Sequence, residues 1–517
     1  MKIKVFLPHP SHYLLVIILF IGFALRIYNL GNNSFWSDEA HSLRGASMIF
    51  FLLKNYSQFR TVTYIPTFLI SLHFWQHLGS SEFILRLLPL IFGLFSIVMI
   101  FKLACELFNY KTGVISAFLL AVSPFHIYYS QEIRPYTFMT SFTLLSVFFL
   151  IKFLKNRKYT FCIGYIIFNV LNIYSHPAAF LMLIAQAVYL LCYGKKYKED
   201  IPALALSHFL ILLTLAPLLA TIFGNLSRLN LALNAPYFHS FGDWIPKPSI
   251  VSIFFTLKNF SIGYNAVKPI YLLAAGVCLI LFCKGIFNLV REKEKEKLVL
   301  VLTLCILPVL ISFFISQFKR FFVDRHFISS ALFYYIIIAY GLSRFKRRNL
   351  LFVMIIILSL ISSALINYYV NYLPKKSQEQ EHIGVHARKE YREAAQHIMK
   401  NFQIHDDVIL HTSKNTFEPF RYYLSKNAQI AIKQYLLKLE NSELLPCEYL
   451  PLEDIFKEKR NLLTEKIKRV WLIFSSWEFT GVNQPELSIV EVINSSYKKI
   501  TETRFKDIIV YLYEKEE

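Results

Sequence analysis

The sequence predicts a polytopic α-helical membrane protein with a C-terminal soluble α/β domain, residues 1–372 forming the membrane part and 373–517 the domain. Three observations predict it. Of 517 residues 55% are hydrophobic, and the mean hydropathy is +0.44, outside the range of ordinary soluble chains. Apolar runs of spanning length follow one another as far as Leu373. Beyond Leu373 helical and strand patterns alternate, and 22 acids balance 22 Lys and Arg. Twelve acids and 33 Lys and Arg precede that point, so the whole net charge of +21 belongs to the membrane part. Basic cytoplasmic loops account for this excess better than a polyanionic partner such as nucleic acid.

The apolar runs occupy residues 12–30, 83–106, 113–130, 135–152, 160–175, 177–193, 203–222, 269–290, 298–316, 328–343 and 349–372, about 11 spans. Lys2 and Lys4 precede the first run without a small-residue cleavage site after it, so it reads as a retained span with a cytoplasmic N-terminus. The basic loops Lys152 to Lys158, Lys195 to Lys198, Arg291 to Lys297 and Arg344 to Arg348 then all fall on that same side. An odd number of spans places the C-terminal domain outside. Tyr64 to Gly79 is too short and polar for a span and reads as an interfacial helix in a long first outer loop. In the tail, Tyr391 to Phe402, Phe417 to Leu424 and Asp454 to Ile467 read as helices. Asp407 to Thr412, Arg469 to Ser475 and Ile508 to Tyr513 read as strands. Six cysteines fall in or beside apolar runs and only Cys447 lies in the tail, so no disulfide framework is available there.

Three constellations on the outer face carry chemistry. Asp38 and Glu39 are the first acids of the chain, directly after the first span and behind Phe35-Trp36-Ser37. They read either as helix capping, with Glu39 in a first turn, or as a general base shielded by Trp36. Gln131-Glu132-Ile133-Arg134-Pro135-Tyr136 forms a polar hairpin between two runs. A turn needs only a few polar residues, whereas this one adds tyrosines and a clustered amide, acid and guanidinium, as a polyhydroxylated ligand requires. Lys319, Arg320 and Arg325 are the one basic cluster on the outer side, where they are either solvated or hold an anion such as a lipid phosphate. Asp324 stands beside Arg325 to orient it. His176, before Pro177, reads as a turn histidine or a substrate contact. No cluster has clear metal spacing, and no phosphate-binding glycine loop occurs.

In this order the motifs resemble the GT-C glycosyltransferases related to the dolichyl-phosphate-mannose protein mannosyltransferases and the lipid A aminoarabinose transferases. The resemblance rests on Phe35-Trp36-Ser37-Asp38-Glu39-Ala40, Ser81-Glu82-Phe83-Ile84-Leu85-Arg86 and Tyr129-Ser130-Gln131-Glu132-Ile133-Arg134-Pro135-Tyr136. Tyr174-Ser175-His176, Asp324-Arg325-His326 and Tyr391-Arg392-Glu393-Ala394-Ala395 add to it. Tyr64-Ile65-Pro66-Thr67-Phe68 stands where relatives often have His-Pro-Pro-Leu-Tyr, and His326 where they commonly have Tyr.

The resemblance implies transfer of one sugar, with inversion, from a polyprenyl-phosphate carrier to an acceptor hydroxyl outside a bacterial inner membrane. Asp38 is then the base, Glu132 a second acidic group and Arg325 a contact to the carrier phosphate. Glu39, Gln131, Arg134, Tyr136, His176 and Lys319 are further substrate-binding candidates. The expected partners are the lipid-linked sugar donor, the bilayer and an acceptor that is lipid, glycan or protein. No cofactor is expected, a divalent metal on Asp38, Glu39 or Glu132 being the alternative. The competing functions are a flippase for a lipid-linked saccharide and a polymerase or ligase using a diphosphate-linked donor. A flippase would place its ionisable groups near the bilayer midplane, whereas these acids stand at span ends.

Overall fold

The computed structural model of the chain describes residues 12–54, 66–216, 245–375, 381, 383–385, 387–403, 406–411, 414–427, 468–475, 493 and 497–515. The chain forms two compact units, Met1–Leu30 with Gly45–Ala387, and Gly31–Arg44 with Arg388–Glu517. The division therefore lies at Arg388 rather than Leu373. Residues 31–44 group with the tail rather than with the helices that they join.

The helices in chain order are α1 (His12–Ile27), α2 (Ser37–Ser47), α3 (Ile49–Lys54), α4 (Pro66–Trp75), α5 (Glu82–Leu107) and α6 (Tyr110–Val122). There follow α7 (Pro124–Ser130), α8 (Tyr136–Asn156), α9 (Tyr159–Ser175), α10 (Phe180–Cys192), α11 (Ile201–Thr214) and α12 (Ile250–Ile262). The last membrane helices are α13 (Lys268–Arg291), α14 (Lys295–Ile315), α15 (Ile328–Ser343) and α16 (Arg347–Tyr369). The tail contributes α17 (Tyr391–Asn401) and α18 (Lys414–Asn427).

Among the described residues six helices are long and apolar enough to cross a membrane, or seven if α6 and α7, bent by 61°, form one broken span. Every apolar run in the sequence lies on a helix, but α1, α9, α10 and α11 are shorter than this criterion requires. Residues 217–222 of the seventh run and 454–467 of the tail lie outside the described residues. Where the sequence suggests an interfacial helix, Tyr64 to Gly79, the described residues form α4 and a following turn, with Phe74 and Leu78 exposed. Helix α12 was not expected, because its polar Ser252, Thr256, Lys258 and Asn259 disqualify it as a span. Those four residues are nonetheless buried, together with Phe255, Phe260, Ser261 and Ile262.

Local chemistry explains where the helices begin and bend. The Ser81 hydroxyl accepts from the Ile84 amide and the Asn109 side chain from the Thr112 amide, so α5 and α6 start on side-chain caps. At the α6/α7 break Pro124 has no N–H to return to the Leu120 carbonyl. The Ser123 amide reaches that carbonyl only at 3.4 Å, and Arg26 of α1, fully buried, donates into the break. Its Nη2 donates to the Leu120 carbonyl at 3.0 Å and its Nη1 to the Ala121 carbonyl at 2.7 Å. Its Nε reaches the Ser130 hydroxyl at 3.2 Å, and Nη2 also meets His126 Nδ1 at 3.0 Å. A guanidinium only donates, so Nδ1 accepts and the His126 proton sits on Nε2, facing the Thr140 hydroxyl at 3.5 Å. The break thereby holds the end of α7, and with it Gln131 to Arg134, against α1.

Helix α15 is buried along its whole length and forms the centre of the first unit. It crosses α13 at two glycines. A Cβ on Gly285 would stand 2.2 Å from the Ile337 carbonyl, and one on Gly341 would stand 2.9 Å from the Leu281 carbonyl. Backbones meet this closely in apolar bundles only through small residues. The basic loops are tied to acids and to one another: Glu106 pairs with Lys152 at 2.6 Å, Glu292 with Arg344 at 2.5 Å, and Glu296 with Lys196. The Arg344 guanidinium and the Tyr340 hydroxyl hold the Glu292 carboxyl below the usual carboxylate range.

Among the described residues of the second unit four strands, β1 (Asp407–His411), β2 (Arg469–Ser475), β3 (Tyr497–Phe505) and β4 (Ile508–Lys515), form one sheet in the order β1-β2-β4-β3. β1 and β2 are parallel, and β4 is antiparallel to both β2 and β3. Asp507, with φ 59°, closes the β3/β4 turn in the left-handed region that Asp tolerates. Val470, Leu472, Phe474, Val408 and Tyr513 make the core. The Asp407 carboxylate, buried, takes Nε and Nη2 of Arg469 at 2.7 and 2.6 Å and Trp471 Nε1 at 2.7 Å. Strand β3 was missed because Lys498, Lys499, Glu502 and Arg504 make it polar. It is an edge strand, where such charges block further pairing.

Candidate active site

Within the first unit the hairpin between α7 and α8 is buried. Gln131, expected to meet substrate, is committed to protein partners. Its Nε2 donates to the carbonyls of Arg26 and Tyr28 at 2.7 and 2.8 Å, and its Oε1 accepts from Tyr368 at 2.5 Å. Glu132 is 2% exposed, and the Arg134 amide folds back onto its carbonyl at 2.7 Å. The Arg134 guanidinium lies 6.0 Å from the centre of the Tyr136 ring. The Tyr136 ring in turn meets Tyr129 at 4.7 Å and His176 at 5.6 Å.

His176 has the turn role that the sequence offers. Its Nδ1 accepts from the Ala178 amide at 3.1 Å and caps the turn before α10, while its ring lies 5.1 Å from that of His326. Arg325 is 8% exposed, donates from Nη1 to the Gly384 carbonyl at 3.0 Å, and lies within coulombic range of Tyr129 and His176. Glu132 is within the same range of Tyr129, whose hydroxyl meets that of Tyr264 at 2.7 Å. The structure thus brings Glu132, Arg134, Tyr136, His176 and Arg325 together around Tyr129. Lys319 is exposed and stands outside this buried set.

Asp324 was expected to orient Arg325, and the two lie within coulombic range. Its two oxygens, however, accept from Thr256 Oγ1 and Asn259 Nδ2, each at 2.6 Å, which fastens the Arg325 turn to α12. Lys258, on the same helix and fully buried, faces Glu381 at 3.7 Å and the Tyr271 ring at 4.8 Å. Sequence reasoning missed Lys258. The signal was Ser252, Thr256 and Asn259, spaced for one side of a helix, with Lys258 beside them in the chain.

Asp38 and Glu39 belong to the second unit. Both lie in the first turn of α2, where acids complement the helix dipole. Glu39 is fully buried and its Oε2 accepts from the Trp36 amide at 3.4 Å, a capping role. Asp38 is half-buried, and its carbonyl accepts from the Ser42 hydroxyl at 2.9 Å. Of the adjacent pair, Glu39 is therefore the structural member and Asp38 the more accessible carboxylate.

These features define a multi-pass membrane protein with a buried polar constellation on the helices and an acidic turn carried by a small α/β unit. Residues 62–220 match the family described as dolichyl-phosphate-mannose-protein mannosyltransferase. That segment includes the Gln131 to Tyr136 hairpin and His176, but not Asp38 or Arg325. No curated protein matches.

Among solved structures, ArnT from Cupriavidus metallidurans in the apo state aligns with a TM-score of 0.60 at 11% identity, over 97% of both chains. The same protein bound to undecaprenyl phosphate aligns at 0.56 and 10% identity, again over 97% of each chain. The Archaeoglobus fulgidus oligosaccharyltransferase tethered to an acceptor peptide aligns at 0.54 and 13% identity, over 99% of this chain and 74% of that one. At these identities the likeness is one of fold. The chain has the fold of these solved structures, and the family match covers three of the motifs read from the sequence, Ser81 to Arg86, Tyr129 to Tyr136 and Tyr174 to His176.

Proposed function

We propose that the chain is a glycosyltransferase that moves one sugar from a polyprenyl-phosphate carrier to an acceptor hydroxyl. The observation that carries this reading is the buried grouping of Glu132, Arg134, Tyr136, His176 and Arg325, set in the fold of a protein that binds undecaprenyl phosphate. A guanidinium beside aromatic rings suits the leaving phosphate, and an acid beside tyrosines suits sugar or acceptor hydroxyls. In this reading Asp38, from the second unit, takes the acceptor proton as the oxygen attacks the anomeric carbon. The bond from that carbon to the phosphate oxygen breaks on the opposite face, giving inversion. The polyprenyl phosphate leaves with the electron pair and is stabilised by Arg325, so a general acid is not required. The reading puts the acceptor side and the α/β unit outside the inner membrane and the N-terminus inside.

The test uses purified full-length protein in detergent with lipid-linked sugars extracted from cells lacking the chain, and follows release of polyprenyl phosphate by thin-layer chromatography. Turnover without a membrane to cross separates transfer from flipping. Asp38→Asn is expected to abolish release, and Arg325→Ala to lower use of the donor. Wild-type turnover in Asp38→Asn would remove Asp38 from the base role, and unchanged KM and kcat in Arg325→Ala would remove the phosphate contact.

A further inference from the structure

The motif Tyr391-Arg392-Glu393 takes no part in the chemistry above, yet it lies against the segment that carries Asp38. Within the second unit, Ser34 donates from Oγ to Glu393 Oε2 at 2.9 Å and accepts from the Arg392 amide at 3.1 Å. Arg392 Nη2 donates to the Asn32 carbonyl at 2.9 Å and also holds Glu393 Oε1 at 2.8 Å. One residue further on, the Phe35 amide donates to the Tyr423 hydroxyl at 2.7 Å. The Phe35 ring, fully buried, sits between Tyr422 and Tyr423 with ring centres at 5.0 and 6.1 Å. Beyond Asp38, Arg44 Nη1 pairs with the buried Glu418 at 2.6 Å. The segment is therefore fastened on both sides of Asp38, by α17 before it and by α18 before and after it.

We propose that Arg392, Glu393, Tyr423 and Glu418 are positioning residues that set the Asp38 carboxylate for proton abstraction, so that the tail controls the rate of transfer without touching substrate. The inference rests on the base assignment for Asp38. A carboxylate on an exposed loop would sample many orientations, whereas a misplacement of about 1 Å costs roughly 100-fold in rate. Two anchors of different chemistry, a hydrogen-bonded Ser34 and an ion-paired Arg44, fix both the start and the end of the turn that carries it.

The experiment compares wild type, Arg44→Glu, Glu418→Arg, the double exchange, Glu393→Gln and Asp38→Asn, all as full-length protein in detergent. It measures kcat and KM with the extracted lipid-linked sugar, Kd for undecaprenyl phosphate, and amide hydrogen exchange over residues 31–44. Each anchor variant is expected to speed exchange in 31–44 and to lower kcat about 10- to 100-fold. KM and the undecaprenyl phosphate Kd should stay within about twofold of wild type, an unaltered-binding signature, and the double exchange should recover most of the lost kcat. Faster exchange in 31–44 with wild-type kcat would overturn the proposal, as would a double exchange no better than its parents. Loss in Arg44→Glu beside full activity in Asp38→Asn would instead remove the base assignment and leave the clamp in place.

Discussion

Replacing Arg26 by leucine tests the account of the broken span. The guanidinium is the donor for two carbonyls at the end of α6, Leu120 at 3.0 Å and Ala121 at 2.7 Å, and also binds Ser130 and His126 at the two ends of α7. Pro124 has no N–H to offer in its place, and a buried carbonyl without a donor costs about 1–3 kcal/mol. The Leu120 carbonyl keeps the Ser123 amide at 3.4 Å, so the expected loss is that of the Ala121 carbonyl, about 1–3 kcal/mol. Arg26→Lys keeps the charge but presents one ammonium to acceptors spread around a planar fork, so it recovers only part of this. Thermal unfolding in detergent, read as Tm or as inactivation half-life, should rank wild type above Arg26→Lys and Arg26→Lys above Arg26→Leu. Transfer activity should fall in the same order, because the end of α7 sets the place of Gln131 to Arg134. A leucine variant that unfolds and turns over like wild type would refute the argument that Arg26 holds the break.

Two other outcomes follow from packing and from burial. Gly285→Val should separate α13 from α15 and lower both expression and thermal stability, since even a Cβ there would stand 2.2 Å from the Ile337 carbonyl; Gly276→Val, where nothing lies within 4 Å, is the control that should change neither. In the α/β unit, burial pushes the half-buried His411, packed against Phe417 and Phe420, down to about 3. The folded value lies below the unfolded one of about 6.5, so the unfolded chain binds the extra proton between them. Stability from the neutral imidazole is complete above about 6.5 and is lost as pH falls through about 3. Circular dichroism between those limits should therefore show an acid-sensitive tail in wild type and a flatter profile in His411→Phe.

The helical architecture was legible because apolar length is a local signal, and among the described residues every run read as a span falls on a helix. The hairpin from Gln131 to Tyr136 was legible for a similar reason, its polar residues standing out between two apolar runs. What the sequence hid was non-local or ran against its surroundings. Arg26 sits inside an otherwise apolar run, and its use depends on a proline almost a hundred residues later. Helix α12 reads as loop because it buries Ser252, Thr256, Lys258 and Asn259 among its apolar residues. The division of Asp38 from Glu39 needed burial, since adjacent acids look alike in a string of letters. The grouping of residues 31–44 with the tail joins partners more than 350 residues apart, and no periodicity reports such a pairing.

That last separation also bears on how the protein is made. The anchors of the Asp38 segment, Arg44 and Glu418, lie 374 residues apart in the chain. At about 5–20 residues per second the ribosome needs about 20–75 s to deliver the second after the first. Throughout that interval the early outer loop has no docking surface, while the first helices are already available to the bilayer. Any truncated product ending before α18 would carry the acid without its Glu418 and Tyr423 supports. The last part of the chain to be synthesised thus completes one of the first, and translation to the end becomes a checkpoint on the finished molecule.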